Sequence, residues 1–332
     1  MRLGSRAGVV DVGTNSVHLV IGARRPGGRI RVLRHERELV FLGEGGLVDN
    51  RLRPAAVRRA LRALRRCAGI LDKEHVRRVA AVATSAVREA VNGPAFVRKV
   101  RRVTGLPLRV ISGQDEARLA FLGIQQARGP RRSRRAAALI AIGGGSAQVA
   151  VGQGTVVRYC ASAPLGASRL AQRFLYHDPV RGDELRRLAR HITRSIAPLA
   201  RGLRHRRLEA LGGSGLIAQV LAAASRLGRR RLSTSARGAV RRRLPANPAL
   251  TRAELSRLVA WLAPSTAAQR RRLPGLDPAR QALALPTALV LLIWMEQAGA
   301  ARIRYAPGSI REGVLAGLLS PAEKAYNKRS VR

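Results

Sequence analysis

Two distant stretches of this chain carry one pattern of apolar and polar positions. Residues 9–22 read as a β-run, a polar turn of Gly13, Thr14, Asn15 and Ser16, and a second β-run. Residues 139–152 repeat that order without a gap, around the turn Gly143, Gly144, Gly145 and Ser146. Gly13 pairs with Gly143, Ser16 with Ser146 and Gly22 with Gly152. Short apolar runs parted by small polar residues predict β-hairpins, and their repetition in register predicts a duplicated architecture. A third strand is expected after each hairpin, at residues 30–34 and 156–162.

Helical periods follow each set of strands. Residues 54–68 space their apolar side chains for a helix and place Arg58, Arg59, Arg62, Arg65 and Arg66 on the other side. Residues 79–83 read as a buried strand. Thr84 and Ser85 read as the cap of a helix through Val87, Arg88 and Ala90, with Asn92, Gly93 and Pro94 as its end. A helix over 96–103, a strand over 108–111 and a helix over 115–124 complete the first half. In the second half a strand at 208–211 leads through Gly212, Gly213, Ser214 and Gly215 into a helix from Leu216, a junction suited to an anion. Further helices are expected at 252–262 and 279–297. Residues 128–135 read as a hinge or as a polybasic nucleic-acid patch, and residues 226–248 as an Arg-rich surface segment. The expected organisation is a first lobe over 1–129, a second over 130–320 and a polar tail over 321–332.

Composition alters this picture through charge. The chain has 332 residues, 46% of them apolar and 3% aromatic, so its cores are built from Ala, Leu, Val and Ile. It carries 63 basic and 19 acidic residues, a formal net charge of +44, with lysine confined to Lys73, Lys99, Lys324 and Lys328. Such a surplus favours polyanionic partners, whether polyphosphate, nucleotide, nucleic acid or anionic lipid, or else reflects compositional drift at a solvated surface. Scarce aromatics argue against base stacking as the main mode of binding. Cys67 and Cys160 form neither a disulfide framework nor a metal knuckle and read as buried thiols of a reducing compartment. Polar residues interrupt the first apolar run, and residues 283–294 are too short to span a bilayer, so a soluble cytoplasmic protein without membrane contact is expected.

Glycine turns of this kind bring several backbone amides and a hydroxyl close to a phosphate. The turn Asp11-Val12-Gly13-Thr14-Asn15-Ser16 resembles the opening motif of the exopolyphosphatase and guanosine pentaphosphate phosphohydrolase (Ppx/GppA) family. Further stretches resemble it in order: Leu42 to Gly45, Ala83 to Ala90, Ile111 to Arg118, Ile142 to Ser146, Pro164 to Ala167, Gly212 to Gly215 and Arg311 to Gly313. The resemblance spans residues 7–318 and its short two-domain form suits the length. It implies an α/β fold of the duplicated actin-like ATPase (ribonuclease H-like) type, two lobes with an interlobe cleft. It also implies hydrolysis of terminal phosphoanhydride bonds with Mg2+ or Mn2+. The substrate implied is inorganic polyphosphate or guanosine pentaphosphate; the oligomeric state stays open, with a homodimer as one candidate.

On that resemblance, Glu116 matches the catalytic base and Asp11 lies at the metal and phosphate, so both are the expected catalytic and metal-binding acids. Each also has a plain structural reading, Asp11 as a turn former and Glu116 as an acid favoured at a helix N-terminus. The expected phosphate-binding set is Gly13, Thr14, Asn15, Ser16 and Arg88 in the first half, with Gly143, Gly144, Gly145, Ser146, Gly213 and Ser214 in the second. The sequence departs from the family where Ala141 and Gln148 replace an Asp and a Glu, and where Ala282 and Thr287 replace an Asp and a Gly. Loss of two carboxylates implies an impaired metal shell. The alternative to an enzyme is a weakly active or inactive polyphosphate- or nucleotide-binding protein of the same fold.

Overall fold

The computed structural model describes residues 6–25, 30–129, 134–204, 207–232 and 249–320, without the side chains of residues 228–232. Its contacts divide the chain into two units, Met1–Ser133 with Gly308–Arg332, and Arg134–Pro307.

The first unit begins with the hairpin β1 (Arg6–Val12) and β2 (Ser16–Arg24) and continues antiparallel into β3 (Ile30–Leu39). Helix α1 (Pro54–Lys73) leads to β4 (Arg78–Ala83), parallel to β1. A single turn, α2 (Ser85–Arg88), precedes α3 (Gly93–Thr104), β5 (Leu108–Val110) and α4 (Gly113–Arg128). The sheet runs β3-β2-β1-β4-β5. Along β1, Val10 and Val12 face the core made with α1 and α3, whereas Ala7 and Val9 face a second core. The period of two puts Asp11 on the side of Ala7 and Val9.

The second unit repeats this plan. The hairpin β6 (Ala137–Ile142) and β7 (Ala147–Gln153) adds β8 (Val156–Ala163) on one side and the parallel strand β9 (Glu209–Gly213) on the other. Helices α5 (Ala167–Phe174) and α6 (Gly182–Ala200) come before β9, and α7 (Gly215–Leu232) after it. Strand β10 (Ala249–Thr251), α8 (Arg252–Leu262), α9 (Ala267–Arg271), a 3-10 turn (Pro278–Leu283), α10 (Ala284–Gln297) and β11 (Arg302–Tyr305) complete the order β10-β11-β9-β6-β7-β8. Helix α10 is apolar on every side because it is surrounded: Ala288, Val290, Leu291, Trp294 and Met295 have no exposed surface. Together with the 3-10 turn it is long and apolar enough to cross a membrane, yet most of it lies inside this core.

Both sheets share one α/β plan, an antiparallel three-stranded unit flanked by a parallel strand, in the orders β3-β2-β1-β4 and β8-β7-β6-β9. The duplication extends to register, with Asp11 opposite His18 and Ala141 opposite Gln148. Gly13 N–H donates to the Ser16 carbonyl at 3.0 Å, and Gly143 N–H to that of Ser146 at 2.9 Å.

Several boundaries differ from expectation. The C-terminal helix α11 (Ile310–Leu318) packs on α4 and β1, so this stretch belongs with the first unit rather than with a second lobe extending to residue 320. Asn92, Gly93 and Pro94 open α3 instead of closing the helix before it, because proline suits a first helical turn. The Thr84 side chain makes no cap, while Ser85 Oγ donates to Glu89 at 2.6 Å. Cys67 is buried and its thiol is pushed up to about 11 by that burial, whereas Cys160 is half-buried. Helix α6 and strands β10 and β11 are not anticipated by the apolar pattern. Parts of the expected hinge at 128–135 and of the segment at 226–248, and the whole tail at 321–332, lie outside the described residues.

Helices α4 and α11 meet backbone to backbone. A Cβ at Gly313 would overlap the Leu119 carbonyl, and one at Gly123 the Ser309 carbonyl. Gly317, on α11, has nothing within 4 Å of the same position. Gly313→Ala is therefore expected to destabilise the protein by about 1–3 kcal/mol through forced separation of the helices. Gly317→Ala should be neutral or stabilise by up to about 1 kcal/mol, since alanine is the better helix former. Urea titration of the two variants measures both.

Candidate functional site

In the first unit the polar turn is held by its carbonyls. The Asn15 carbonyl accepts from Val40 and Phe41 N–H, at 2.9 and 3.0 Å, and the Thr14 carbonyl accepts from Gly43 N–H at 3.0 Å. In the second unit the Gly143 and Gly144 carbonyls accept from Ala167, Ser168 and Arg169 at the start of α5, and Arg169 Nε donates to the Gly145 carbonyl. Gly166 permits this approach, because a Cβ there would strike the Gly144 and Gly145 backbone. Among the described residues, the amides of Thr14 and Gly144, which correspond in the repeat, make no backbone hydrogen bond. A turn fixed through its carbonyls and left with amides to donate suits an anion.

Asp11 and Glu116 both lie in the first unit. Asp11 is 7% exposed at the end of β1, and Arg311 Nη1 donates to its Oδ2 at 3.1 Å. Burial raises the Asp11 carboxyl above its ordinary range, and the Arg311 guanidinium opposes that rise. Glu116 stands in the first turn of α4, whose N-cap Ser112 accepts from Asp115 N–H. Arg88, at the end of α2, donates to Glu116 Oε2 at 2.9 Å and to the Ile111 carbonyl at 3.1 Å. Desolvation pushes Glu116 up to about 7, despite the Arg88 charge that lowers it; the Asp11 charge adds to the rise. The family resemblance brings these two acids to one site, but it does not reveal that each is held by an arginine.

Arg311 is a functional candidate that its motif contains but does not mark as part of the site. Its Nε is buried without a hydrogen-bond partner. Two histidines also border the turn: Ser16 Oγ lies 2.9 Å from His18 Nε2, and His18 Nδ1 lies 3.1 Å from His35 Nε2, with the rings stacked. Burial and the Arg311 charge push His35 down, which favours the neutral ring that such a contact requires.

In the second unit Ala141 lies beside Gln148 on β7 and Gly213 on β9. Gln148 is buried and donates to Ser146 Oγ at 2.6 Å and to Ser162 Oγ at 3.4 Å. Ser214 sits at the β9–α7 junction, where its Oγ accepts from Ile217 N–H at 3.4 Å. The 3-10 turn exposes Ala282, and Thr287 Oγ1 donates to the Leu283 carbonyl. The predicted site residues thus form one group in each unit. Among the described residues, no three His, Cys, Asp or Glu side chains cluster as metal ligands.

Burial of Glu116 has a pH signature. The folded state holds its proton more tightly than the ordinary carboxyl at 4.5, so stability is fully present below that pH. It is lost as pH rises from 4.5 towards about 7, at up to about 1.4 kcal/mol per pH unit. Glu116→Gln is expected to flatten this decline, measured by urea unfolding at pH values across that interval.

The model for the Ppx/GppA phosphatase family matches residues 9–322. An uncharacterised protein of Streptomyces coelicolor is 32% identical over 314 residues, which cover 93% of this chain and 89% of that protein. Exopolyphosphatase 2 of Mycobacterium tuberculosis is 34% identical over 206 residues, 59% of this chain and 63% of the relative. The crystal structure of an exopolyphosphatase from Cytophaga hutchinsonii shares 27% identity at a TM-score of 0.81, over 95% of this chain and 98% of the other. With the duplicated glycine turns and the buried acids in place, the chain belongs to the Ppx/GppA phosphatase family.

Proposed function

We propose that this chain hydrolyses the terminal phosphoanhydride bond of inorganic polyphosphate or guanosine pentaphosphate. The observation that carries this reading is Glu116: a buried carboxyl raised to about 7, held by Arg88 and within the electrostatic reach of Asp11. A carboxylate with that affinity for protons is suited to general-base work near neutral pH. Glu116 takes a proton from water as the water oxygen attacks the terminal phosphorus; the bond from that phosphorus to the bridging oxygen breaks with its electron pair on the oxygen of the shortened substrate, and the terminal group departs as orthophosphate. The amides of Thr14 and Gly144, the Ser16 and Ser146 hydroxyls and Arg88 are the groups we assign to the substrate's negative charge. The unpartnered Arg311 Nε supplies one more donor beside Asp11.

The protein's own donors do not build a closed cation cage, since Asp11 and Glu116 are each engaged by an arginine. They fit a cation that arrives with substrate, because Mg2+ is commonly held by one or two carboxylates and completed by phosphate oxygens. In that role Mg2+ or Mn2+ neutralises charge on the phosphoanhydride.

A binding protein of the same fold is the second reading, favoured by Ala141 and by the neutral Gln148 locked between Ser146 and Ser162. Phosphate release from polyphosphate, measured for the native protein and for Glu116→Gln, separates the two readings. On the first, the variant loses a factor of about 10²–10⁴, the usual contribution of a positioned base. Equal rates would remove Glu116 from the role, and no release by the native protein would favour binding alone. The double change Ala141→Asp with Gln148→Glu is expected to tighten Mn2+ binding in calorimetry with pyrophosphate present, by adding two carboxylates on the strands that flank the second turn.

A further inference from the structure

The face of the first unit's sheet opposite Asp11 carries its own concentration of charge. Helices α1 and α3 cover that face and pack against each other. Arg58, Arg62 and Arg65 on α1, with Arg98, Arg101 and Arg102 on α3, are exposed. Among the described residues none of these six makes an ion pair, whereas their neighbours Arg59 and Arg66 pair with Glu44 and Glu38. The spacings put like charges three and four residues apart, an arrangement that weakens a helix. The only acid on either helix is Asp72, near the end of α1.

We propose that this double arginine ridge is a second binding site for a linear polyphosphate chain, separate from the acids on the other side of the sheet. From Arg58 to Arg65 the stripe extends for about 10 Å along α1, and packed helix axes lie about 8–10 Å apart. A single phosphate group cannot reach across both stripes, but a flexible chain of them can. Neither helix exposes an aromatic side chain to stack a base, nor a large apolar one to enter a bilayer. The preference for polyphosphate over other linear polyanions rests on the proposed activity. The ridge retains long chains while their ends are processed elsewhere, so it favours long substrates over short ones.

The test uses fluorescence anisotropy with labelled polyphosphate of about one hundred units, in the Glu116→Gln background so that ligand is not consumed. The variant Arg58→Gln/Arg62→Gln/Arg65→Gln/Arg98→Gln is expected to bind the long chain at least tenfold more weakly. Its dependence of log affinity on log salt should be shallower by roughly 3, at about 0.7 for each phosphate no longer neutralised. Affinity for tripolyphosphate should not change, and replacement of the same four residues by lysine should preserve long-chain binding. Unaltered long-chain affinity and salt slope in the glutamine variant would overturn the ridge. Equal competition by single-stranded DNA, charge for charge, would overturn the choice of polyphosphate. Phosphate release by the native protein is read separately, so loss of the proposed activity and loss of the ridge are distinct results.

Discussion

The close approach of α4 and α11 governs the first unit's chemistry. Gly123 and Gly313 remove the side chains that would hold these helices apart. One helix carries Glu116 near its start and the other carries Arg311 near its own. Their separation therefore sets where the Glu116 carboxyl stands relative to the arginine on Asp11. An extra methyl group at this contact would act on the acids without touching either, because close-packed interiors transmit displacement rather than absorb it.

Local chemistry is the legible part of the sequence. Duplicated turns announce themselves because glycine, serine and β-runs recur in one register, and the structure repeats that register bond for bond at Gly13 and Gly143. The pairing of Arg311 with Asp11 is not legible, since 300 residues separate the partners and no periodicity links them. Helix α6 is hidden for another reason: its apolar stripe is diluted by arginines and Pro198 interrupts its last turn. The raised Glu116 carboxyl is equally hidden, because desolvation depends on what folds over a side chain and not on its sequence neighbours.

The two halves of the duplication have diverged in charge. The first hairpin keeps an acid and sets a histidine opposite it, whereas the second sets alanine opposite a neutral amide. Gln148 satisfies itself by bonding to two serines, which gives that turn rigidity without negative charge. In a chain of net charge +44, such a turn offers an anion donors and no electrostatic opposition.

The first unit is assembled from two separated pieces of chain, with the whole second unit between them in sequence. During synthesis, Asp11 leaves the ribosome long before Arg311 does. Until α11 arrives, the nascent protein holds a carboxylate without its guanidinium, next to a helix whose glycine notch is still uncovered. The first site is thus complete only once α11 is made, and a product terminated before residue 308 would carry both glycine turns yet lack the arginine that compensates the first acid. The topology ties the first unit's core to a helix that follows the entire second unit in sequence, so that core closes late in synthesis.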